Sequence, residues 1–345
     1  MQFQAALGIR HPLIQAPMAG VQDSGLALAV SAAGALGSLP AAMLDATTLR
    51  RELQTLQNSK QPYNVNFFCH QTPAHTAAAE SAWQTVLLPY YQELGIDPAT
   101  IPASAGRRPF DEEMAEVLEE FSPTVVSFHF GLPSKPLLSR VKARGAWVMS
   151  SATTLNEAQW LVAHGADAVI AQGLEAGGHR GHFLDRDVAK QAHTMDLLKQ
   201  LTPHIRVPII AAGGIADAQD VQAAMSAGAA AVQVGTSFLL CDEAKTSPLH
   251  RARLRDVQAP TALTNLFTGG LARGMFNRVM LEIGPQNRAA PAFPMATQSI
   301  APLRAKAETH QRDDFTPLWS GMNRSGCAPC SAADMVSKLA AGFSH

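Results

Sequence analysis

Thr154-Leu-Asn-Glu-Ala-Gln-Trp-Leu-Val-Ala-His-Gly-Ala-Asp-Ala-Val-Ile-Ala-Gln172 is one complete turn of a repeating chain. Thr154-Leu-Asn-Glu157 has the spacing of a capping box, so a helix starts there. The apolar run from Glu157 to His164 ends at Gly165, a residue able to take the left-handed conformation that closes a helix. Ala168 to Ala171 is then a short apolar run with the length of a buried strand. The same unit recurs at Leu26–Ala33, Gly34 and Ala35–Ser38, and again at Gln219–Ala227, Gly228 and Ala230–Val234. Helices alternating with short apolar strands imply a parallel sheet covered by helices. Eight strands can be counted: Leu13–Ala16, Ala35–Leu39, Asn64–Phe68, Thr124–Phe128, Trp147–Ser150, Ala168–Gln172, Pro208–Ala212 and Ala230–Val234. Eight point to an α/β fold of the closed (β/α)8 TIM barrel type. An open doubly wound sheet is the alternative, weakened by the lack of a Gly-x-Gly-x-x-Gly turn after the first strand.

Two stretches exceed a minimal barrel. Thr72 to Ser122 is too long for one crossover and predicts extra helices, among them Asp111–Phe121. Residues 247–314, rich in Pro, Arg and Gly, predict an inserted small helical subdomain near the C-terminus, a lid over the substrate. Residues 1–246 and 315–345 then form the barrel, with a closing helix at Ala332–Ala341.

Composition narrows the partners. The 345 residues carry a net charge of −1 and no long basic run, which argues against nucleic acid. No stretch reaches the roughly 18 apolar residues of a membrane span. Met1-Gln2-Phe3-Gln4 lacks the charged head of a secretory leader, so the expected location is cytoplasmic. Of four cysteines, Cys69 and Cys241 lie in apolar surroundings and are expected to be buried thiols. Cys327-Ala-Pro-Cys330 has metal or redox spacing but no second pair, and is expected to be inert. No histidine pair has metal-ligand spacing, so no metal is expected.

In a barrel, chemistry gathers where strands end. The sixth strand runs into Gln172-Gly173-Leu174-Glu175-Ala176-Gly177-Gly178-His179-Arg180-Gly181. Glycines allow a backbone to approach a flat or charged ligand, and a histidine beside them can move a proton. His179 is therefore the acid/base candidate. Arg180 either holds an anion or bridges to Glu175. His182 could equally point to solvent, and His129, closing the fourth strand, is a pocket candidate. Gly213-Gly214 and Gly235-Thr236 close the seventh and eighth strands, where free backbone N–H groups would hold a phosphate. Asn66 and Gln172 are amides emerging from apolar strands, suited either to a structural hydrogen bond or to the polar edge of a flavin.

These strand ends resemble the nitronate monooxygenase family, formerly 2-nitropropane dioxygenase, in its class I branch. The resemblance rests on Gln15-Ala16-Pro17-Met18-Ala19-Gly20, Ser127-Phe128-His129-Phe130-Gly131-Leu132-Pro133 and Gly173 to Gly181. Ala212-Gly213-Gly214-Ile215, Gln233-Val234-Gly235-Thr236 and Leu318-Trp319-Ser320-Gly321 extend it over nearly the whole chain. It implies an FMN-dependent barrel. Ala16, Pro17, Met18, Asn66, Gln172, Gly177, Gly178, Gly213, Gly214, Gln233, Val234, Gly235 and Thr236 would surround the FMN. His179 would stand near the substrate nitro group, with His129 and Phe293 in the substrate pocket. Phe293 occupies a segment where the family often has a tyrosine, and Val21 follows Gly20 where the family often has a glycine. The implied reaction is oxidation of alkyl nitronates such as propionate 3-nitronate by molecular oxygen, without a nicotinamide. A homodimer is left open as its assembly.

Two other readings compete: an NAD(P)H-dependent FMN quinone or enoyl-thioester reductase of the same barrel type, and a non-enzymatic sensor that binds a phosphorylated metabolite. The colour of the protein and its response to NADH separate the three.

Overall fold

A computed structural model describes residues 3–74, 76–101 and 107–343. All eight anticipated strands are present: β1 (Leu13–Gln15), β2 (Gly37–Pro40), β3 (Tyr63–Phe68), β4 (Val125–His129), β5 (Trp147–Ala152) and β6 (Ala168–Gln172), then, after the short β7 (Gly178–His179), β8 (Ile209–Ala212) and β9 (Ala231–Val234). They pair in parallel in the order β1-β9-β8-β6-β5-β4-β3-β2. The ring closes between β1 and β2 through the Ile14–Leu36 bridge, with Gln15 N donating to Leu36 O and Leu36 N to Leu13 O, both at 2.9 Å. This is a TIM barrel, with helices between the strands. Its helix-ending glycines behave as the repeat requires: Gly34, Gly165 and Gly228 have φ of 93°, 103° and 97°, where a side chain would be strained.

Strand alternation sorts the residues into two sets. Val169 and Ala171 of β6, Ile209 and Ala211 of β8, and Val232 and Val234 of β9 face outward into a core shared with Leu161, Leu197 and Val221 of the covering helices. The alternate residues face inward. At the N-terminal end these are apolar: Ile14, Leu36, Val125, Met149, Ala168 and Ile210 pack with Phe3 and Leu7 of the first helix, which plugs the barrel floor. Toward the C-terminal end the inward positions turn polar, to Asn66, Ser127, His129, Ser151, Gln172 and Gln233. The same period therefore supplies a sealed bottom and a reactive top.

The capping box is half realised. Thr154 Oγ1 accepts from Glu157 N at 3.3 Å, as expected. The Glu157 carboxylate turns inward instead of back to Thr154. It accepts from Thr153 N and Oγ1, both 2.7 Å, and from Phe183 N at 2.6 Å and Leu184 N at 3.2 Å. It thereby ties the end of β5 to the segment that follows His179. Glu157→Ala leaves several buried donors unpaired and is expected to cost about 3 kcal/mol of stability. A urea midpoint equal to that of the native protein would show the carboxylate to be dispensable.

A second layer covers the mouth. β10 (Thr261–Thr264) and β11 (Ala272–Met275) form an antiparallel pair, and β11 also pairs with β7, placing His179 opposite Ala272. Residues 247–314 also hold helices Pro248–Leu254, Arg278–Glu282 and Ala296–Thr309. Helix Ala77–Leu94, from the long excursion after β3, packs on Ala296–Thr309; its Trp83, Leu87 and Tyr91 share a core with Leu266, Ile300 and Leu303. Helix Ala332–Ala340 returns to the barrel through Met335, Val336 and Leu339. Among the described residues no helix is long and apolar enough to cross a membrane.

Candidate active site

One cavity opens at the C-terminal mouth of the barrel, with about 1360 Å³ of space counted out to solvent. Its walls bring together nearly every residue singled out from the sequence. Ala16, Pro17 and Met18 line it after β1, and Asn66 lines it from β3. Gln172, Gly177, Gly178 and His179 border it on one side. Gly213, Gly214, Gln233, Val234, Gly235 and Thr236 border it on another, and His129 adds to the wall from β4. Phe293 stands one layer away, its ring centroid 5.1 Å from that of His179.

The glycine corners fit close quarters. A Cβ on Gly177 would fall 2.5 Å from Gly321 N, and one on Gly213 would fall 2.9 Å from Ala176 N at a φ of 121°. Gly321 N donates to Thr236 Oγ1 at 2.9 Å, and Asn323 Nδ2 to Gly214 O at 3.0 Å, so the segment after Trp319 buttresses both corners. Four buried atoms of residues lining this cavity have no protein partner among the described residues: Gln233 Oε1, His250 Nε2, and Nε and Nη1 of Arg107. Buried polar atoms are rarely left unpaired, which suits a polar ligand reaching them.

His179 is held by its backbone. Its carbonyl accepts from Gln172 Nε2 at 2.9 Å and from His129 Nε2 at 3.1 Å, and β7 hydrogen-bonds to β11. Its ring Nε2 lies 2.9 Å from Thr268 Oγ1. Burial holds its pKa well below the usual 6.5, and the nearby Arg107, His129 and His70 push it further down. The ring is therefore neutral at pH 7, able to accept a proton but carrying no charge of its own.

Several sequence readings are refined. Gln172 places its amide on the His179 loop, with Oε1 also accepting from Gly181 N at 2.7 Å. Asn66 Nδ2 donates to Ser127 O and Oγ. His129 uses both ring nitrogens, Nδ1 toward Ser151 Oγ and Nε2 toward His179 O, and burial lowers its pKa to about 4. It lines the pocket as a neutral brace. Arg180 makes no ion pair with Glu175 among the described residues, and its donors are taken within the protein. It is buried and donates to Gln191 Oε1, Gly173 O and Gln172 O. His182 bonds Gln191 rather than pointing to solvent. Cys241 is buried and Cys69 half-buried, and all four thiols are free. Cys327 Sγ donates to Thr236 O at 3.2 Å, and burial raises its pKa to about 12, so it sits there as a protonated thiol. Among the described residues no cluster of three or more His, Cys, Asp or Glu side chains is placed to hold a metal ion.

Sequence reading missed Arg107, Phe68, His250 and Trp319, all of which line the cavity. Trp319 lies within Leu318-Trp319-Ser320-Gly321, so the motif pointed to the right place without giving the residue a role. Arg107 and His250 had no signal, since neither stands at the end of a barrel strand.

A parallel barrel with its cavity at the strand C-termini, ringed by glycine corners and lined by His129, His179 and His250, defines a TIM-barrel enzyme. Residues 2–342 match the family model described as nitronate monooxygenase. The nitronate monooxygenase of Pseudomonas aeruginosa is 37% identical over 344 residues, covering 98% of this chain and 97% of that one. That of Paraburkholderia phytofirmans is 37% identical over 337 residues, covering 96% and 92%. The solved nitroalkane oxidase from Streptomyces ansochromogenes superposes with a TM-score of 0.88 at 35% identity, covering 97% of this chain and 96% of that chain. The chain belongs to the nitronate monooxygenase family, a family of oxidoreductases.

Proposed function

We propose that the cavity binds FMN and that the enzyme oxidises small alkyl nitronates with molecular oxygen. The observation that carries this reading is the cavity itself, where glycine corners after β8 and β9 share one space with an uncharged His179. The backbone N–H groups of Gly213-Gly214 and Gly235-Thr236 would receive the phosphate. Ala16, Pro17, Met18, Asn66, Gln172, Gly177, Gly178, Gln233 and Val234 would enclose the ring system, and the orphaned Gln233 Oε1 would gain a donor. FMN held there would supply the redox chemistry, one-electron oxidation of the nitronate with oxygen as the final acceptor. The chain does the positioning. His179 would face the nitro group or take a proton from its α-carbon, while Phe68, backed by Phe293, would make the substrate side apolar. Residues 247–314 would act as the cover of a barrel made from 1–246 and 315–345.

The test is direct. Purified protein should be yellow and should consume oxygen on addition of propionate 3-nitronate. A flavin-loaded sample that leaves oxygen untouched, or that NADH bleaches rapidly without air, would overturn the activity. Gly235→Val should release the flavin. Its Cβ would start 3.3 Å from Ala16 Cβ and 3.6 Å from Met18 Sδ, and its methyls would fill the proposed phosphate corner. A colourless protein with an unchanged far-UV spectrum is expected; full flavin retention would place the phosphate elsewhere.

A further inference from the structure

We propose that Arg107 is the specificity residue of this site, binding the carboxylate of a nitronate that carries a second negative charge. The inference rests on the nitronate reading above and deepens it. Arg107 lines the cavity, yet its Nε and Nη1 are buried without a hydrogen-bond partner. Its neighbour Arg108 takes both Asp111 and Glu113. Arg107 takes no carboxylate among the described residues: its Nη2 lies 4.0 Å from Met43 Sδ, and Cζ lies 5.8 Å from the centroid of Phe293. A guanidinium cannot shed its charge, so burying two of its three nitrogens without an anion is costly. The described residues provide no counter-charge here, which leaves the ligand to supply it.

Placement gives the ligand its shape. Phe293 backs both residues: Arg107 lies over its ring, and the His179 ring stands 5.1 Å away. His70 packs against the same ring at 4.8 Å and fixes the Arg107 backbone through Nε2 to its carbonyl oxygen, 3.1 Å. A cation at one end of an aromatic wall and an uncharged imidazole at the other discriminate the two ends of a short, doubly anionic molecule. The localised carboxylate pairs with the guanidinium, and the delocalised nitronate lies toward His179. A nitronate with a plain alkyl tail would leave Arg107 unpaired.

The experiment compares propionate 3-nitronate with propyl 1-nitronate in the native enzyme, Arg107→Gln and Arg107→Lys. A lost charge-assisted hydrogen bond should lower kcat/KM for the carboxylated substrate about 10- to 100-fold more than for the alkyl one in Arg107→Gln. Arg107→Lys should recover part of the difference. Calorimetric titration with 3-nitropropionate, which needs no turnover, should weaken by a similar factor. A selectivity ratio unchanged in Arg107→Gln overturns the proposal. Equal losses on both substrates also overturn it, since Arg107 would then serve the nitronate end. If no nitronate is turned over but 3-nitropropionate still binds through Arg107, the oxidation reading falls and the anion anchor stands. Binding of 3-nitropropionate indifferent to Arg107→Gln removes the anchor as well.

Discussion

With asparagine in place of His179, the enzyme is expected to keep its flavin and to lose activity in proportion to how much proton transfer the substrate demands. A neutral nitroalkane must give up its α-proton before it can be oxidised. Removing a general base typically costs about 10² to 10⁴ in rate. A nitronate offered already deprotonated needs only to be positioned, and there the loss should shrink to the worth of one neutral hydrogen bond, a factor of about 2 to 10. The imidazole is suited to the first task because burial, with Arg107 behind it, keeps it uncharged across the neutral range. The same depression makes it a weak base, so it gains from Thr268, whose hydroxyl 2.9 Å from Nε2 fixes the ring. The measurement is steady-state oxygen uptake with nitroalkane and nitronate side by side, with flavin content read from the visible spectrum. Equal losses on the two substrates would deny His179 any role as a base. Loss of flavin would move it to the cofactor side of the cavity.

The sequence shows some of this site and hides the rest for physical reasons. The eight barrel strands are legible because they are buried on both faces and several of the helices before them end in a glycine; Gly34, Gly165 and Gly228 have positive φ for that reason. The ends of those strands point to His179, Gly213 and Gly235 because a barrel presents its strand C-termini at one mouth. β7, β10 and β11 are illegible: runs of two to four residues such as Gly178-His179 carry no period. Arg180 is misleading for another reason. A charge beside glycines looks like a ligand contact, but three acceptors, two of them main-chain carbonyls, surround it once the loop folds back. Arg107 is silent because its meaning comes from what is not near it, and an absent partner leaves no trace in a one-dimensional pattern. Glu157 announces a cap, but its carboxylate is claimed by a loop more than twenty residues further along.

Stability should fall steeply as pH drops from 6.5 to 5. His129, His182 and His250 are each held near a pKa of about 4 instead of 6.5, in every case chiefly by burial, with Arg180 adding to the effect at His129 and His182. In the unfolded chain they take up protons near pH 6.5, while in the folded protein they remain neutral until about pH 4. Between those values the unfolded state binds more protons, so acid favours unfolding. The slope approaches about 1.4 kcal/mol per pH unit for each ring. By pH 5 that amounts to about 2 kcal/mol for each and about 6 kcal/mol for the three, a large share of a typical 5–15 kcal/mol total. Carboxylates whose pKa the fold lowers, such as Glu93 at about 2 beside Arg278 and Arg312, withdraw their contribution only below their unfolded value near 4.5. The window above pH 5 therefore belongs to the histidines. Urea midpoints measured at half-unit steps should trace the fall, and His182→Asn should remove about 2 kcal/mol of it by pH 5. A midpoint that stays level from pH 7 to 5 would mean that these rings titrate freely in the folded protein. The same enclosure keeps His179 neutral, so its assignment as an uncharged proton acceptor would fail with them.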